Sequence, residues 1–364
     1  MPVHVKAKEG KTLKTLSYSD RLMMFDIITS SLETVLSGDK LCVRNKNLGD
    51  AIQMQKRFGS PSAFGEAWIG FTFKNGFKVA VKKMPLGRND QVESYTDEQL
   101  LSGDSAWSEM AAYMFCTLLV MAKICPNLPV LYKYFWCPKC KFVNKAIKGK
   151  KERPCLLVVN ELADGDLKHY LEKKTHIWNA PLVDNCIFQV SAGLYALEKY
   201  YGMSHNDLHY GNVLVHEIAP GGFWHYKIDG KKYYVPNLGY LFVLWDLGMA
   251  HIPGKIKGRP EFYTMDSLPI PSETDIGRIC AVIFDVLKGK KAKKYMGKTP
   301  HNMLSDIMRS ERRQQSVKEV IETHFDIYRG KKPNDNEIID SFNMDVSKKT
   351  IKEAHPAELR KFLT

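Results

Sequence analysis

"SHNDLHYGN", residues 204–212, places His205, Asp207, His209 and Asn212 in one short run, after a stretch of helical periodicity and before the strand-like "VLVHEI" of residues 213–218. Such a cluster is a metal nest, a catalytic loop or a satisfied polar turn. Imidazoles suit zinc, yet neither His205 nor His209 has a further ligand at metal-binding spacing. The neighbourhood decides. Upstream, "EAWIGFTF" (66–73), the turn dipeptide Asn75-Gly76 and "FKVAVKKM" (77–84) form a hairpin signal whose second strand carries Lys82 among apolar residues. Downstream, "LWDLG" (244–248) places Asp246 at a strand end, with Gly248 expected to give the backbone freedom to turn. Phosphoryl transfer needs a cation on the donor phosphates, two oxygen ligands for Mg²⁺ and a carboxylate beside the attacking hydroxyl. Lys82, the Asn212 and Asp246 pair, and Asp207 supply that set.

The rest of the chain divides at about residues 160–166. Before it, hairpin signals, "VLYKYFW" (130–136) and "CLLVVN" (155–160) read as strands around a basic loop at 141–154, with one long helix over "SAWSEMAAYMFCTLLVMAK" (105–123). Residues 19–36 read as a helix with Ser19 as N-cap, part of a helical extension over 1–57. After the boundary, Val183, Ile187, Val190, Leu194 and Leu197 keep a helical period up to Gly202. Helices then dominate, except for strands at 213–246 around an Asp229-Gly230 turn.

Lys plus Arg exceed Asp plus Glu by 53 to 40, a weak pointer to anionic partners. The basic runs "KGKKER" (148–153) and "KGKKAKKYMGK" (288–298) lack interleaved aromatics, so no nucleic acid partner is expected. No secretory leader is read, and the apolar run Met110 to Ala122 is too short to span a bilayer. A soluble intracellular protein is expected. The eight cysteines have no framework spacing, so reduced thiols are expected. The one CxxC, Cys137 and Cys140, is a pair at a hairpin tip or part of a zinc site completed by Cys125 and Cys155.

In order along the chain, a degenerate glycine loop, "VAVK", "HNDLHYGN" and "DLG" resemble the motifs of the protein kinase-like superfamily, from about Gly59 to Leu287. The catalytic loop, the tyrosine-rich hairpin after it and the compact C-terminal part look closer still to serine/threonine kinases assigned to large cytoplasmic DNA viruses. The resemblance implies an α+β, bilobal fold. A mostly-β small lobe would cover 58–163 and a mostly helical large lobe 164–364, with a β-hairpin inserted before "DLG". It also implies ATP and Mg²⁺ as cofactors, a protein hydroxyl as acceptor and a place in the infected cell's cytoplasm, with virion packaging and oligomeric state left open.

Carried over residue by residue, the resemblance gives Lys82 the α and β phosphates and a helix glutamate as partner, Glu109 rather than Glu98 because its helix is more apolar. Asp207 takes the proton of the acceptor, Asn212 and Asp246 hold Mg²⁺, and His205 anchors the loop. Gly59, Ser60, Ser62, Phe64, Gly65 and Ala67 cover the phosphates. The segment from Glu161 to Ala163 reads adenine through backbone groups. Asp166 reaches the ribose or simply caps a helix.

Three features depart from the family pattern. "FGSPSAFGEA" (58–67) puts serines where glycines are usual. His209 replaces the usual lysine, a form also seen in small-molecule phosphotransferases, and would donate to the transferring phosphate. No "APE" follows: Pro260-Glu261 comes too early, and Pro271-Ser272-Glu273 nearly meets Asp275, which resembles the buried anchor of the large lobe. A small-molecule kinase and an inactive binding module therefore stand as alternatives to a protein kinase. The hairpin "FWHYKIDGKKYYVPNLGY" (223–240) is a structural flap or, by its exposed-looking aromatics, a docking surface.

Overall fold

The computed structural model describes residues 18–32, 47–48, 51–62, 65–72, 76–87, 106–143, 152–253, 272–287, 298–310, 316–330 and 332–354. These fall into two compact units, one of Ser19–Met114 and Val130–Leu162, the other of Tyr18, Phe115–Pro129 and the residues from Ala163 onward. The fold is α+β with mostly antiparallel sheets, compatible with a kinase-like fold.

The first unit is built on six strands, β1 (Asn47–Leu48), β2 (Ile52–Ser62), β3 (Gly65–Thr72), β4 (Lys78–Pro85), β5 (Leu131–Lys141) and β6 (Glu152–Glu161). Their order is β1-β2-β3-β4-β6-β5, antiparallel throughout. β4 is central because Val79 and Val81 are buried while Lys82 and Lys83 leave on opposite faces, as the period of two requires. β1 and β2 correct the helical reading of residues 1–57. "IQMQKRF" alternates weakly, with Gln and Lys on its outward face, and so gives little sign of a strand. Helix α1 (Tyr18–Leu32) begins before Ser19, which is therefore not its N-cap. The Tyr18 backbone N–H instead donates to Asp340 Oδ2 at 3.1 Å. Helix α2 covers Ala106–Met121.

The "CPKC" segment lies inside β5, not at a hairpin tip: the register shifts between Cys137 and Cys140. Cys140 and Cys155 are joined, and Cys137 is also disulfide-bonded, which corrects the expectation of reduced thiols at these positions. Cys116, Cys125, Cys186 and Cys280 are free and buried.

The second unit centres on α4 (Ala180–Tyr201), preceded by α3 (Leu167–Lys173) and closed by Gly202 in the left-handed region at φ 62°. β8 (Val213–Glu217) pairs with β11 (Tyr240–Leu244) and with the two-residue β7 (Gly165–Asp166). β9 (Phe223–Ile228) and β10 (Lys231–Pro236) form a hairpin across Asp229 (φ 47°) and Gly230 (φ 77°). The strand β12 (Ile338–Asn343) pairs parallel with β9. It escapes a reading by alternation because its inward position 340 is the aspartate that meets Tyr18. Helices α5 (Ser272–Leu287), α6 (Lys298–Ser310), α7 (Val317–His324) and α8 (Lys348–Ala354) complete the described part.

The hairpin aromatics are not exposed, which removes the motive for a docking surface. Trp224, Tyr226, Tyr233 and Tyr234 are buried. Phe188 of α4 meets Tyr226 and Tyr233 with ring centroids 5.2 and 5.6 Å apart. Among the described residues no helix is long and apolar enough to cross a membrane.

Candidate active site

In the first unit, Lys82 sits between Ala67 of β3 and Val158 of β6 in the ladder. Its ammonium forms an ion pair with Glu109 of α2, and Tyr113 Oη, one helical turn on, donates to the same carboxylate oxygen at 3.0 Å. The other oxygen, Glu109 Oε2, is buried without a hydrogen-bond partner among the described residues. Glu98, the other candidate, lies outside the described residues. The neighbouring Lys83 faces the other way and pairs with Glu66 at 3.4 Å. Only one of the two lysines of "VKK" therefore points at α2.

Because the Lys82 side chain is 12% exposed and that of Glu109 only 1%, the two substitutions are unequal. Lys82→Met strands a buried carboxylate and is expected to cost about 2–3 kcal/mol. Adding Glu109→Leu should restore most of that loss. Chemical denaturation of the two single variants and the double variant measures the coupling, and strictly additive losses would refute it.

The end of β2 and the start of β3 carry the glycine-loop candidates. Gly59 has φ 77°, open to glycine at no cost, and the β2–β3 register breaks between Phe58 and Ser62. Gly65 is required for another reason: a Cβ there would lie 2.7 Å from the Lys83 carbonyl oxygen. Ser60 and Ser62 belong to β2, Ala67 to β3, and Phe64 lies outside the described residues. Glu161, at the end of β6, gives its side chain to Arg21 of α1 and its backbone N–H to Val130 O at 3.1 Å.

In the second unit, Ala163 is half-buried, and Asp166 Oδ1 accepts from His169 N at 2.7 Å. Asp166 thus caps α3, the plain structural role its sequence allows.

The loop after Gly202 is tied at both ends. Ser204 and His251 exchange backbone hydrogen bonds of 2.9 and 3.0 Å, so the loop and the segment after "DLG" hold each other. His205 is fully buried, with Nε2 2.8 Å from Trp245 O. Asp275 of α5, also buried, accepts from Asn206 N at 3.0 Å and Leu208 N at 3.3 Å, so the two amides on either side of Asp207 rest on one carboxylate. Asn206 takes the left-handed conformation at φ 66° to allow this, and Arg278 reaches its carbonyl at 3.4 Å. Asp275 and Arg278 belong to no motif around Asp207, and "DIGR" is their only signal in the sequence.

Asn212 Nδ2 donates to Asp207 O at 2.9 Å and to Asp207 Oδ2 at 3.4 Å. Its amide nitrogen is thereby committed, which leaves Oδ1 as the atom with which it can meet a cation. Trp245 N–H donates to Asn212 O at 2.8 Å, binding this loop to the residue before Asp246. Asp246 itself has φ 57°, and Gly248 is not among the residues with positive φ, so the turn falls on the acid and not on the glycine. A left-handed non-glycine residue is uncommon and persists where its surroundings impose it.

Burial raises the Asp207 pKa above the ordinary aspartate value, and the Asp246 charge adds to the rise, while His209, His205 and Arg278 oppose it. His209 is exposed and its Nδ1 accepts from Gly211 N at 3.0 Å, capping the short 3-10 turn that holds Asn212. A buried β11 precedes Asp246. It is pinned by Gln189 of α4, which accepts from Phe242 N at 2.9 Å, and by Asn127, whose carbonyl accepts from Leu244 N at 3.0 Å. Carboxylate and amide oxygens at 207, 212 and 246 are hard donors, the chemistry that Mg²⁺ prefers.

The second unit thus brings Asp207 and Asn212 together in one anchored loop tied to the residue before Asp246, and the first unit holds a paired strand lysine. No family model matches the chain. It is 24% identical over 251 residues to "Probable serine/threonine-protein kinase 380R" of Invertebrate iridescent virus 6, covering 65% of this chain and 44% of that protein. It is 29% identical over 175 residues to "Putative serine/threonine-protein kinase 019R" of Frog virus 3 (isolate Goorha), covering 47% and 20%. "Uncharacterized protein 011L" of Invertebrate iridescent virus 3 is 27% identical over 157 residues, covering 42% and 20%. The chain spans less than half the length of these relatives. They include proteins named as serine/threonine kinases of large cytoplasmic DNA viruses, the group its motifs resemble.

Proposed function

We propose that the chain is an ATP-dependent serine/threonine protein kinase of bilobal, kinase-like fold that transfers the γ-phosphoryl group of Mg-ATP to a protein hydroxyl. The observation that carries this reading is the tethering of Asn212 to Asp207, which keeps an acid and an amide oxygen side by side in a loop anchored on Asp275. The names of the relatives support the same class.

In this mechanism Lys82, held by Glu109, neutralises the donor phosphates. Asn212 Oδ1 and the Asp246 carboxylate hold Mg²⁺, which when bound neutralises charge on the phosphates. Asp207 orients the acceptor hydroxyl and takes its proton. Asn212 keeps the Asp207 carboxylate from turning away, and His205 and Asp275 keep the backbone fixed. The first and second units act as its small and large lobes, and the cytoplasm of an infected cell is its proposed site of action.

Incubation with Mg²⁺ and γ-labelled ATP, offering mixed proteins and small alcohols as acceptors, tests the reading. Label is expected on serine and threonine. Label on alcohols alone would overturn the acceptor class, and neither transfer nor Mg²⁺-dependent ATP binding would overturn the enzyme.

The pH profile adds a second test. Asp207 must be deprotonated to take a proton, so activity is lost as pH falls through its raised pKa. His209 opposes the rise, and His209→Gln is therefore expected to move the acid limb of kcat/KM to higher pH. A limb that stays or moves lower would show that His209 does not act on Asp207.

A further inference from the structure

Three sulfurs of the first unit, those of Cys137, Cys140 and Cys155, lie within 4.8 Å of one another. The strands explain why. Cys137 faces Cys155 directly across the β5–β6 ladder, and a bulge of one extra residue, with Pro138 and Lys139 opposing Pro154, brings Cys140 back to the same face. Cys140 and Cys155 form one disulfide and Cys137 is disulfide-bonded as well, yet all three sulfurs converge on one place. A bulge that brings a second sulfur of β5 onto one sulfur of β6 serves something that uses all three.

The geometry points to a zinc site: in the reduced chain Cys137, Cys140 and Cys155 bind Zn²⁺ as three thiolates, with a fourth ligand completing the tetrahedron. Zn–S bonds of about 2.3 Å at tetrahedral angles put sulfurs about 3.8 Å apart, within the spread the three already have. CxxC is the spacing with which a turn offers two sulfurs to one ion. All three residues are buried, as in closed structural sites. Three thiolates and Zn²⁺ leave one negative charge, and cations stand around it. Arg153 is opposite Cys140 in the ladder, and Lys83 donates to the carbonyl of Lys141, the next residue. The same chain keeps four other cysteines as free thiols, which is unlike a disulfide framework.

Electrons for opening the S–S bonds come from a small monothiol. Each bond takes two electrons and two protons from two such thiols, which leave as their own disulfide. On metal binding three cysteine S–H protons pass to solvent as three Zn–S bonds form. The ion would clamp the end of the β5–β6 ribbon opposite Glu161. It is independent of the kinase reading.

The test uses the full chain, reduced with a phosphine without oxygen, stripped with chelator and given Zn²⁺ or Co²⁺ alone. One zinc per chain is expected, with three thiols protected from alkylation in a zinc-dependent way. Cobalt should give the thiolate charge-transfer and strong visible bands of a tetrahedral site. Outer-sphere partners of metal ligands are worth about 10–100-fold in affinity, so loss of a ligand in Cys137→Ser should weaken zinc by more than about 100-fold. That variant leaves Cys140 and Cys155 able to join, and Cys280→Ala should leave zinc affinity unchanged. A reduced wild type that takes up neither metal, or zinc affinity that survives Cys137→Ser, overturns the site. Should Cys137→Ser fail to fold, the wild-type cobalt spectrum and thiol count decide alone.

Discussion

Asp207→Asn is expected to lower phosphoryl transfer by about 10²–10⁴-fold, the usual worth of a positioned proton acceptor. The change is nearly isosteric, and Asn212 Nδ2 keeps its 2.9 Å bond to the backbone carbonyl of residue 207. Mg-ATP binding should therefore persist while turnover is lost, and kcat should fall much more than KM rises. A charge-linked effect runs the other way. The folded-state pKa of Asp207 is raised, so its carboxyl favours the fold at low pH and costs stability as pH rises through that value. At neutral pH the variant should melt at or above the wild-type temperature. The gap should close as pH falls toward the ordinary aspartate range. Single-turnover transfer and paired melting scans check both, and transfer retained within about tenfold would remove Asp207 from the chemistry.

Arg21→Met should cost the first unit about 3–5 kcal/mol, because it leaves a buried carboxylate without its cation. Arg21 binds Glu161 through two nitrogens, Nε at 3.0 Å and Nη2 at 2.5 Å, and both side chains are nearly sealed from water. Glu161 Oε1 also accepts from Val130 N at 3.1 Å, so three elements, α1, the start of β5 and the end of β6, lose a shared anchor. Replacing the pair together, Arg21→Met with Glu161→Gln, should recover much of the loss. Urea denaturation measures it, and a loss below about 1 kcal/mol would mean that the pair is dispensable.

Local signals made much of the fold legible. Helix α4 follows from its apolar period and ends at a left-handed glycine, and the Asp229-Gly230 dipeptide takes the positive φ values that its hairpin turn demands. What escaped depends on partners distant in sequence. Nothing local marks Arg21, whose partner Glu161 lies 140 residues away. β12 hides behind Asp340, and β2 behind Gln53, Gln55 and Lys56. Tyrosines at 226 and 233 look exposed because a hairpin is half-polar by itself, whereas here Phe188 packs against both. The chemistry-bearing side chains around 207–212 were legible because their spacing is local. Their support from Asp275 was less so, since it comes from a helix some seventy residues on. The sequence alone favours Gly248 for the turn at Asp246, as the residue type that costs least there. Only the backbone reveals that the acid carries it.

The pairing of β12 with β9, and the Tyr18–Asp340 bond across a separation of 322 residues, have a consequence for how the chain is made. Closing so long a loop is slow, since its entropy is spent before the contacts repay it. On the ribosome the second unit stays one strand short until residues 338–343 emerge, and the edge of β9 waits unpaired. That interval is when a nascent chain is most exposed to aggregation and to chaperones. A stop before residue 338 would leave it permanently in that state.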